Sequence, residues 1–380
     1  MPEQLSWDAV LAWRMARHGL ARRAPASGWP AVVARIGGLH AQVQASAELT
    51  LWARVDGLDP ATVGQALWTD RTLVRTWAMR GTLHLLPAGE LALWVGARGV
   101  IKPRYEMASW RKAFGMSSAE AVDVLDAIRK ALAGEPLTRD ELGNAVAELL
   151  GDKRLGDAVR GSFGTMPKLA AFRGDVVFAP PAGQKVRFTR PDRWLGEGWE
   201  PQSPREAMAA VVRRYLAVNG PASREAFARW FGMPSAAQAG KLIGALGDEL
   251  VQVDIAGQAG WMLRTDVDDA GAARPVGVVA LLPAFDQYVV AAPRDDGPVL
   301  AARYKAQVYR RQGWLSPVLL VDGRIAGTWK HERAAGRVAV TIAPFAVLDD
   351  AVRTGAEAEA QRLAGYLGGE LALHWATPLG

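Results

Sequence analysis

Gln42 and Gln44 stand two residues apart in the stretch Leu39-His40-Ala41-Gln42-Val43-Gln44-Ala45-Ser46. A carboxamide is neither an acid nor a base at neutral pH, so the pair cannot move protons, but two amide oxygens can hold one water molecule in place. Such a site suffices only where the leaving group is already activated. Position matters as well: on a helix, residues i and i+2 diverge, and they converge only in an extended or turned segment. The pair falls between an expected helix over Trp29 to Leu39 and another over Ala47 to Val55, a junction that permits this. Taken alone, the two amides read first as surface or capping residues.

Other catalytic signatures are missing. There is no Walker lysine loop, no strand-linked Gly-x-Gly-x-x-Gly and no His-Glu-x-x-His, so nucleotide hydrolysis, dinucleotide redox and zinc hydrolysis lack support. The chain has no cysteine, which excludes disulfides, thiolate metal sites and a cysteine nucleophile and fits a reducing compartment. The five histidines (His18, His40, His84, His331, His374) are scattered, so neither a metal nor a cofactor is expected.

With 380 residues, half of them apolar and 22% charged, the chain is long enough for two to four packed units. Its N-terminus lacks the charged lead and apolar core of a signal peptide, and its longest apolar run, near Val276 to Phe285, is about half of what a membrane helix needs. A soluble cytoplasmic protein with no membrane partner is expected. The net charge of +6 favours an anionic partner, and its placement says more than its size. Residues 71–112 hold eight Lys or Arg against Glu90 and Glu106. Arg303, Lys305, Arg310 and Arg311 form a second cluster; Arg324, Lys330, Arg333 and Arg337 form a third, opposed only by Glu332. Any one cluster reads as a solvated helix face, whereas three together point to a polyphosphate.

The elements that would carry these residues are clearest over 204–264. Pro204 to Val218 has helical periodicity, Ser223 caps a helix to Phe231, Ser235 starts a third, and Leu250 to Ile255 and Trp261 to Arg264 read as a hairpin. Three helices and a hairpin make a winged helix. The same order recurs upstream: helices over Ala119 to Leu132, Thr138 to Leu150 and Leu155 to Ala170, then strands near Ala171 to Ala179 and Lys185 to Thr189. A looser copy opens the chain and closes in two strands meeting at Met79-Arg80-Gly81. After Pro275 the pattern becomes β, with strands at Val276 to Leu282, Tyr288 to Ala292, Val318 to Val321, Arg324 to Trp329 around Asp322-Gly323, and Arg337 to Ile342, then a helix over Ala356 to Leu367. The expected fold is α+β: three tandem winged helices (1–115 with a linker, 116–200, 201–270) followed by a small β-barrel-like domain with a terminal helix (271–380).

Four motifs in order, His40-Ala41-Gln42-Val43-Gln44, Val74 to His84, Leu281-Leu282-Pro283-Ala284-Phe285-Asp286-Gln287-Tyr288 and Pro317 to Trp329, resemble the winged-helix DNA glycosylases of the azinomycin-resistance, AlkZ-like type. The resemblance runs nearly end to end. It implies a C-shaped DNA-binding cradle whose catalytic pocket is lined by the glutamine motif, with Gln42 and Gln44 as the catalytic pair and double-stranded DNA carrying alkylated guanine as the partner. A monomer without a protein partner is expected.

The chemistry agrees with that implication. Most glycoside hydrolases need one carboxylic acid to protonate the leaving oxygen and a second carboxylate for water or the anomeric carbon. N7-alkylguanine is already cationic, so scission of its N-glycosidic bond releases a neutral base and needs no proton; what remains is to place water and tolerate an oxocarbenium ion. Bulky natural-product adducts and interstrand crosslinks are further candidates. No lysine precedes Lys102, so a Schiff-base lyase is not suggested, and a monofunctional hydrolase leaving an abasic site is expected.

Further candidates follow. Arg75, Arg80 and His84 on the first hairpin could touch phosphate or the pocket, beside Trp77, Met79 and Leu83, which read as packing. Arg303 and Lys305 are DNA-binding candidates from the second basic cluster. Lys330, His331, Arg333 and Arg337 flank Ala334-Ala335-Gly336, the expected tip of a barrel hairpin that could enter the minor groove or stand as a solvated turn. His40 and Trp52, near the motif, could line the lesion pocket. Asp286 could act there as an electrostatic partner or orient backbone at the barrel entrance. The competing function is a winged-helix transcriptional regulator that binds DNA without chemistry, and a weaker one is a protein-binding scaffold.

Overall fold

Among the described residues five helices begin on a hydroxyl cap: Ser6, Ser117, Thr138, Ser223 and Ser235 each accept a hydrogen bond from the backbone N–H three residues on. At Ser117 and Thr138 a glutamate at the third helical position returns the bond, closing a capping box. These caps set the phase of a mixed α and β chain. The computed structural model describes residues 3–161, 165–196, 198–293 and 297–378. Two units emerge, one combining residues 1–62 with 212–380 and the other formed by 63–211.

In the 63–211 unit, Leu73–Trp77 and Leu83–Pro87 form a hairpin that turns at Met79–Gly81. Helices Ser118–Ala131, Arg139–Leu150, Lys153–Arg160 and Thr165–Arg173 lead into a second hairpin, Val177–Ala182 with Lys185–Thr189, to which Leu137–Thr138 adds a short third strand. The single helix expected over Leu155 to Ala170 is two helices: the first ends at Arg160, and residues 162–164 lie outside the described residues. Arg139–Leu150 and Lys153–Arg160 approach closely where Gly156 meets Gly143; a Cβ on Gly156 would lie 2.4 Å from the Gly143 carbonyl oxygen. Trp77 packs on Phe178 and Phe188, with ring centroids 4.8 and 5.9 Å away, and so joins the two hairpins.

In the other unit, helices Arg224–Phe231 and Ala236–Gly244 follow the C-terminal part of Pro204–Asn219 and precede the hairpin Leu250–Ile255 and Gln258–Leu263. Glu3–Leu5 adds a parallel strand to Val253–Ile255, and the helix Trp7–Arg17 brings Val10 and Trp13 into one core with Val253, Ile255 and Met262. The N-terminal strand and helix therefore complete the hydrophobic core of this third helix group.

The C-terminal region is not a closed barrel, which corrects the expectation. It is a five-stranded open sheet in the order Val279–Leu282, Val318–Val321, Arg324–Ala334, Arg337–Pro344, Glu370–Trp375. The first four strands run antiparallel; the last is added parallel to Arg337–Pro344 after the helix Asp350–Leu367, which buries Ala356, Ala360, Leu363 and Ala364. A helix covering the sheet satisfies its apolar face without closure. Gly355 permits the close approach: a Cβ there would lie 2.8 Å from Val279 Cγ2. The Asp322-Gly323 turn has φ of 43° and 82°, the left-handed pair that a tight hairpin demands. Tyr288 to Ala292, expected as a strand, belongs to the helix Gln287–Ala291, capped by Asp286, whose carboxylate accepts the Tyr288 N–H at 2.9 Å. Among the described residues no helix is long and apolar enough to cross a membrane.

Candidate active site

The glutamine motif sits at the start of a helix. Leu39–His40 is a two-residue strand, Gln42 lies exposed in a bend, and Gln44 opens the helix Gln44–Trp52. This helix begins three residues before the expected Ala47, because Val43 is its extended N-cap, with φ −117° and ψ 113°. An extended residue sends its two neighbours to the same side of the backbone, opposite its own side chain. Val43 thus has the conformation that lets the residues on either side of it face one way, and Gln44, half-buried, donates through Nε2 to Glu48 Oε1 at 3.2 Å.

Three consecutive residues of the later motif hold this junction. The ring of Phe285 lies flat on that of His40, centroids 4.8 Å apart at 10°. Asp286 makes a two-pronged ion pair with Arg54, at 2.7 and 2.8 Å, both side chains fully buried. Gln287 Nε2 donates to the Gly38 carbonyl oxygen at 2.6 Å. Arg54 also donates to the carbonyls of His18 and Thr50, so one guanidinium ties the helix end, the first helix and the Phe-Asp-Gln segment together. Phe285 itself has φ 61°, a left-handed conformation that costs a non-glycine residue of order 1–3 kcal/mol. That strain is held by packing against His40 and, edge-on at 5.1 Å, against Trp314.

The sequence missed Arg54 and Trp314. Arg54 carried no signal because its partner lies 232 residues away. Trp314 stands in a basic cluster singled out for charge alone; it keeps 47% of its surface exposed, beside the exposed Arg311.

Two of the residues expected to line a lesion pocket have other surroundings. Asp286 is sealed in its ion pair and caps a helix, the backbone-orienting role, and exposes no surface to a pocket. Trp52 is buried under the Arg362 guanidinium, 3.8 Å from its ring centroid, while Arg362 also donates to the Trp52 carbonyl. His40 is buried against Phe285.

The DNA-contact candidates fall in both units. In the 63–211 unit Arg80 occupies the hairpin turn at φ 58°, partly exposed, with Nη2 3.5 Å from His84 Nε2. His84 is fully buried, its Nδ1 3.0 Å from the Thr82 carbonyl oxygen, so its ring supports the turn. Arg75 is half-buried over Phe178, and burial lowers its basicity. In the other unit Arg303 and Lys305 are exposed. The hairpin Arg324–Ala334 with Arg337–Pro344 turns at Ala335-Gly336, and strand alternation divides its basic residues: His331 and Arg333 pair with Val340 and Val338, Lys330 and Arg337 with Thr341 and Ala334. His331 stacks on Trp329 and burial lowers its pKa; Lys330 pairs with Glu332 at 3.0 Å. Among the described residues no cluster of three metal-ligating side chains occurs.

A model of the DNA glycosylase AlkZ-like family matches residues 33–366. The chain belongs to the AlkZ-like DNA glycosylase family. An interstrand DNA cross-link repair glycosylase of Streptomyces sahachiroi is 36% identical over 335 residues, 86% of this chain and 88% of that protein. The solved structure of the Streptomyces sahachiroi DNA glycosylase AlkZ superposes with a TM-score of 0.87 at 33% identity, covering 98% of this chain and all of that one. Membership in the AlkZ-like family makes the chain a DNA glycosylase and disfavours the regulator reading.

Proposed function

We propose that this DNA glycosylase hydrolyses the N-glycosidic bond of cationic N7-alkylguanine in double-stranded DNA, acting as a monomer and leaving an abasic site, with Gln42 and Gln44 as its catalytic pair. One observation carries the reading: Val43 is extended, the conformation that lets the amides on either side of it face one way at a helix start. Their oxygens accept from one water and turn their negative ends to the sugar as positive charge develops there. Fixed polar groups of this kind are typically worth ~10²–10³ in rate. No proton need be delivered, because the alkylated purine leaves neutral.

The helix–helix–helix–hairpin groups are read as winged helices that grip the duplex, within segments 1–115, 116–200 and 201–270, with Arg80, Arg303, Lys305, Arg333 and Arg337 on phosphate. Interstrand crosslinks, named for the Streptomyces sahachiroi relative, are the second lesion class to test. The experiment is incubation with duplexes carrying N7-methylguanine or a bulkier N7 adduct, scored as alkali-sensitive sites, for the native chain, Gln42→Ala and Gln44→Ala. Loss of scission in both variants with retained DNA binding is expected. Undiminished scission by either variant refutes the pair.

A further inference from the structure

Gln44 has one polar neighbour with a definite chemical preference. Its Nε2 donates to Glu48 Oε1 at 3.2 Å, one helical turn along Gln44–Trp52. A carboxamide is ambiguous: its oxygen and nitrogen ends are nearly isosteric, and rotation by 180° exchanges an acceptor for a donor. For the reaction proposed above only one orientation works. The oxygen must face water and sugar, and an N–H₂ group in its place would repel the developing cation. An ionised carboxylate accepts hydrogen bonds and donates none. It therefore takes the nitrogen end of Gln44 and leaves the oxygen end for the reaction.

We infer that Glu48 is a positioning residue that locks the Gln44 carboxamide with its oxygen toward the substrate. The inference rests on the catalytic reading of Gln44. Two features support the lock. Glu48 is half-buried at the second turn of a helix whose Thr50, Leu51 and Trp52 are buried, so the helix is fixed beneath it. A titratable neighbour is Tyr366 on the helix Asp350–Leu367, whose phenol is pushed up to about 12 by burial first and by the charges of Glu48 and Asp59. Burial raises the Glu48 pKa, and the hydrogen bond from Gln44 offsets part of that rise by favouring the carboxylate.

The test is a double-mutant cycle on single-turnover scission of N7-methylguanine DNA, with duplex affinity measured in parallel. Glu48→Gln keeps the shape of the side chain but can donate as well as accept, so it removes the orientation preference. Expected is a fall in rate of about tenfold or more with duplex affinity unchanged, and no further fall when Glu48→Gln is added to Gln44→Ala. Glu48→Asp, which keeps the charge but retracts it by one methylene, is expected to lose rate similarly. Because both Glu48→Gln proteins carry the same substitution, any general effect on folding appears in both backgrounds and cancels in the cycle. A native rate for Glu48→Gln, or an equal loss with and without Gln44, overturns the lock while leaving the Gln44 reading intact. A native rate for Gln44→Ala overturns both.

Discussion

The Arg54 guanidinium meets the Asp286 carboxylate along both prongs, at 2.7 and 2.8 Å, with no solvent exposure on either side. The pair joins the end of the glutamine-bearing helix to the Phe285–Gln287 segment, so it fixes the height at which Gln42 and Gln44 stand. Removing one partner leaves a buried charge without its counter-ion, which typically costs 3–5 kcal/mol. Asp286→Ala is therefore expected to lose about that much in denaturant unfolding, and Arg54→Met/Asp286→Leu together to lose less than the two single changes combined. Full additivity would mean that the pair contributes no coupling.

Much of this arrangement was legible in the chain, for definite reasons. Helix starts at Thr138, Ser223 and Ser235 were readable because capping is local chemistry. The hairpin at Asp322-Gly323 was readable because only a few residue types tolerate its backbone. The barrel was misread because five short strands look alike in sequence whether a sheet closes or is covered by a helix; the parallel return of Glu370–Trp375 depends on where Asp350–Leu367 lies, which no local pattern encodes. Tyr288 to Ala292 read as a strand because a short run of β-branched and aromatic residues has no period, and the Asp286 cap decided otherwise. The glutamine pair could be found, but its setting could not: His40 against Phe285, Arg54 with Asp286 and Gly38 with Gln287 all span more than 200 residues.

Buried His18 couples stability to pH. Its Nε2 lies 3.1 Å from Asn219 Oδ1, and its pKa is held well below 6.5, chiefly by burial and next by the Arg54 charge. A histidine whose pKa is depressed by folding contributes nothing adverse while both states are neutral. As pH falls below its unfolded value near 6.5 the unfolded chain takes up the proton and the folded one does not, so stability is lost. Thermal unfolding is expected to shift down between pH 7 and pH 5, and His18→Gln to flatten that slope. An unchanged slope would assign the pH dependence to other groups.

Trp314 offers the duplex an aromatic face in a positive setting. It stands on Phe285, which stands on His40, two residues from Gln42. Stacking of a base on such a ring is worth about 1–3 kcal/mol, so Trp314→Ala is expected to weaken binding to adduct-bearing DNA roughly tenfold, with little change in salt dependence. Arg311→Ala and Arg303→Ala, by contrast, are expected to reduce the slope of log affinity against log salt by about one each. His84→Gln is expected to leave that slope alone, since its ring is buried. Fluorescence anisotropy across a salt series separates the three cases.

Substrate charge is the last discriminator. The only carboxylate hydrogen-bonded to the glutamine pair among the described residues is Glu48, which in the proposed lock is an ionised acceptor from Gln44 and has no proton to give. A general acid typically contributes ~10²–10⁴ in rate where a leaving group needs protonation. A site without one should forgo about that factor on neutral bases and lose nothing on cationic ones. Duplexes matched in sequence and differing only in the lesion, N7-methylguanine against hypoxanthine, are therefore expected to differ in single-turnover scission by at least about a hundredfold, at similar affinity. Comparable rates on both would require a proton donor and would transfer the chemistry away from Gln42 and Gln44.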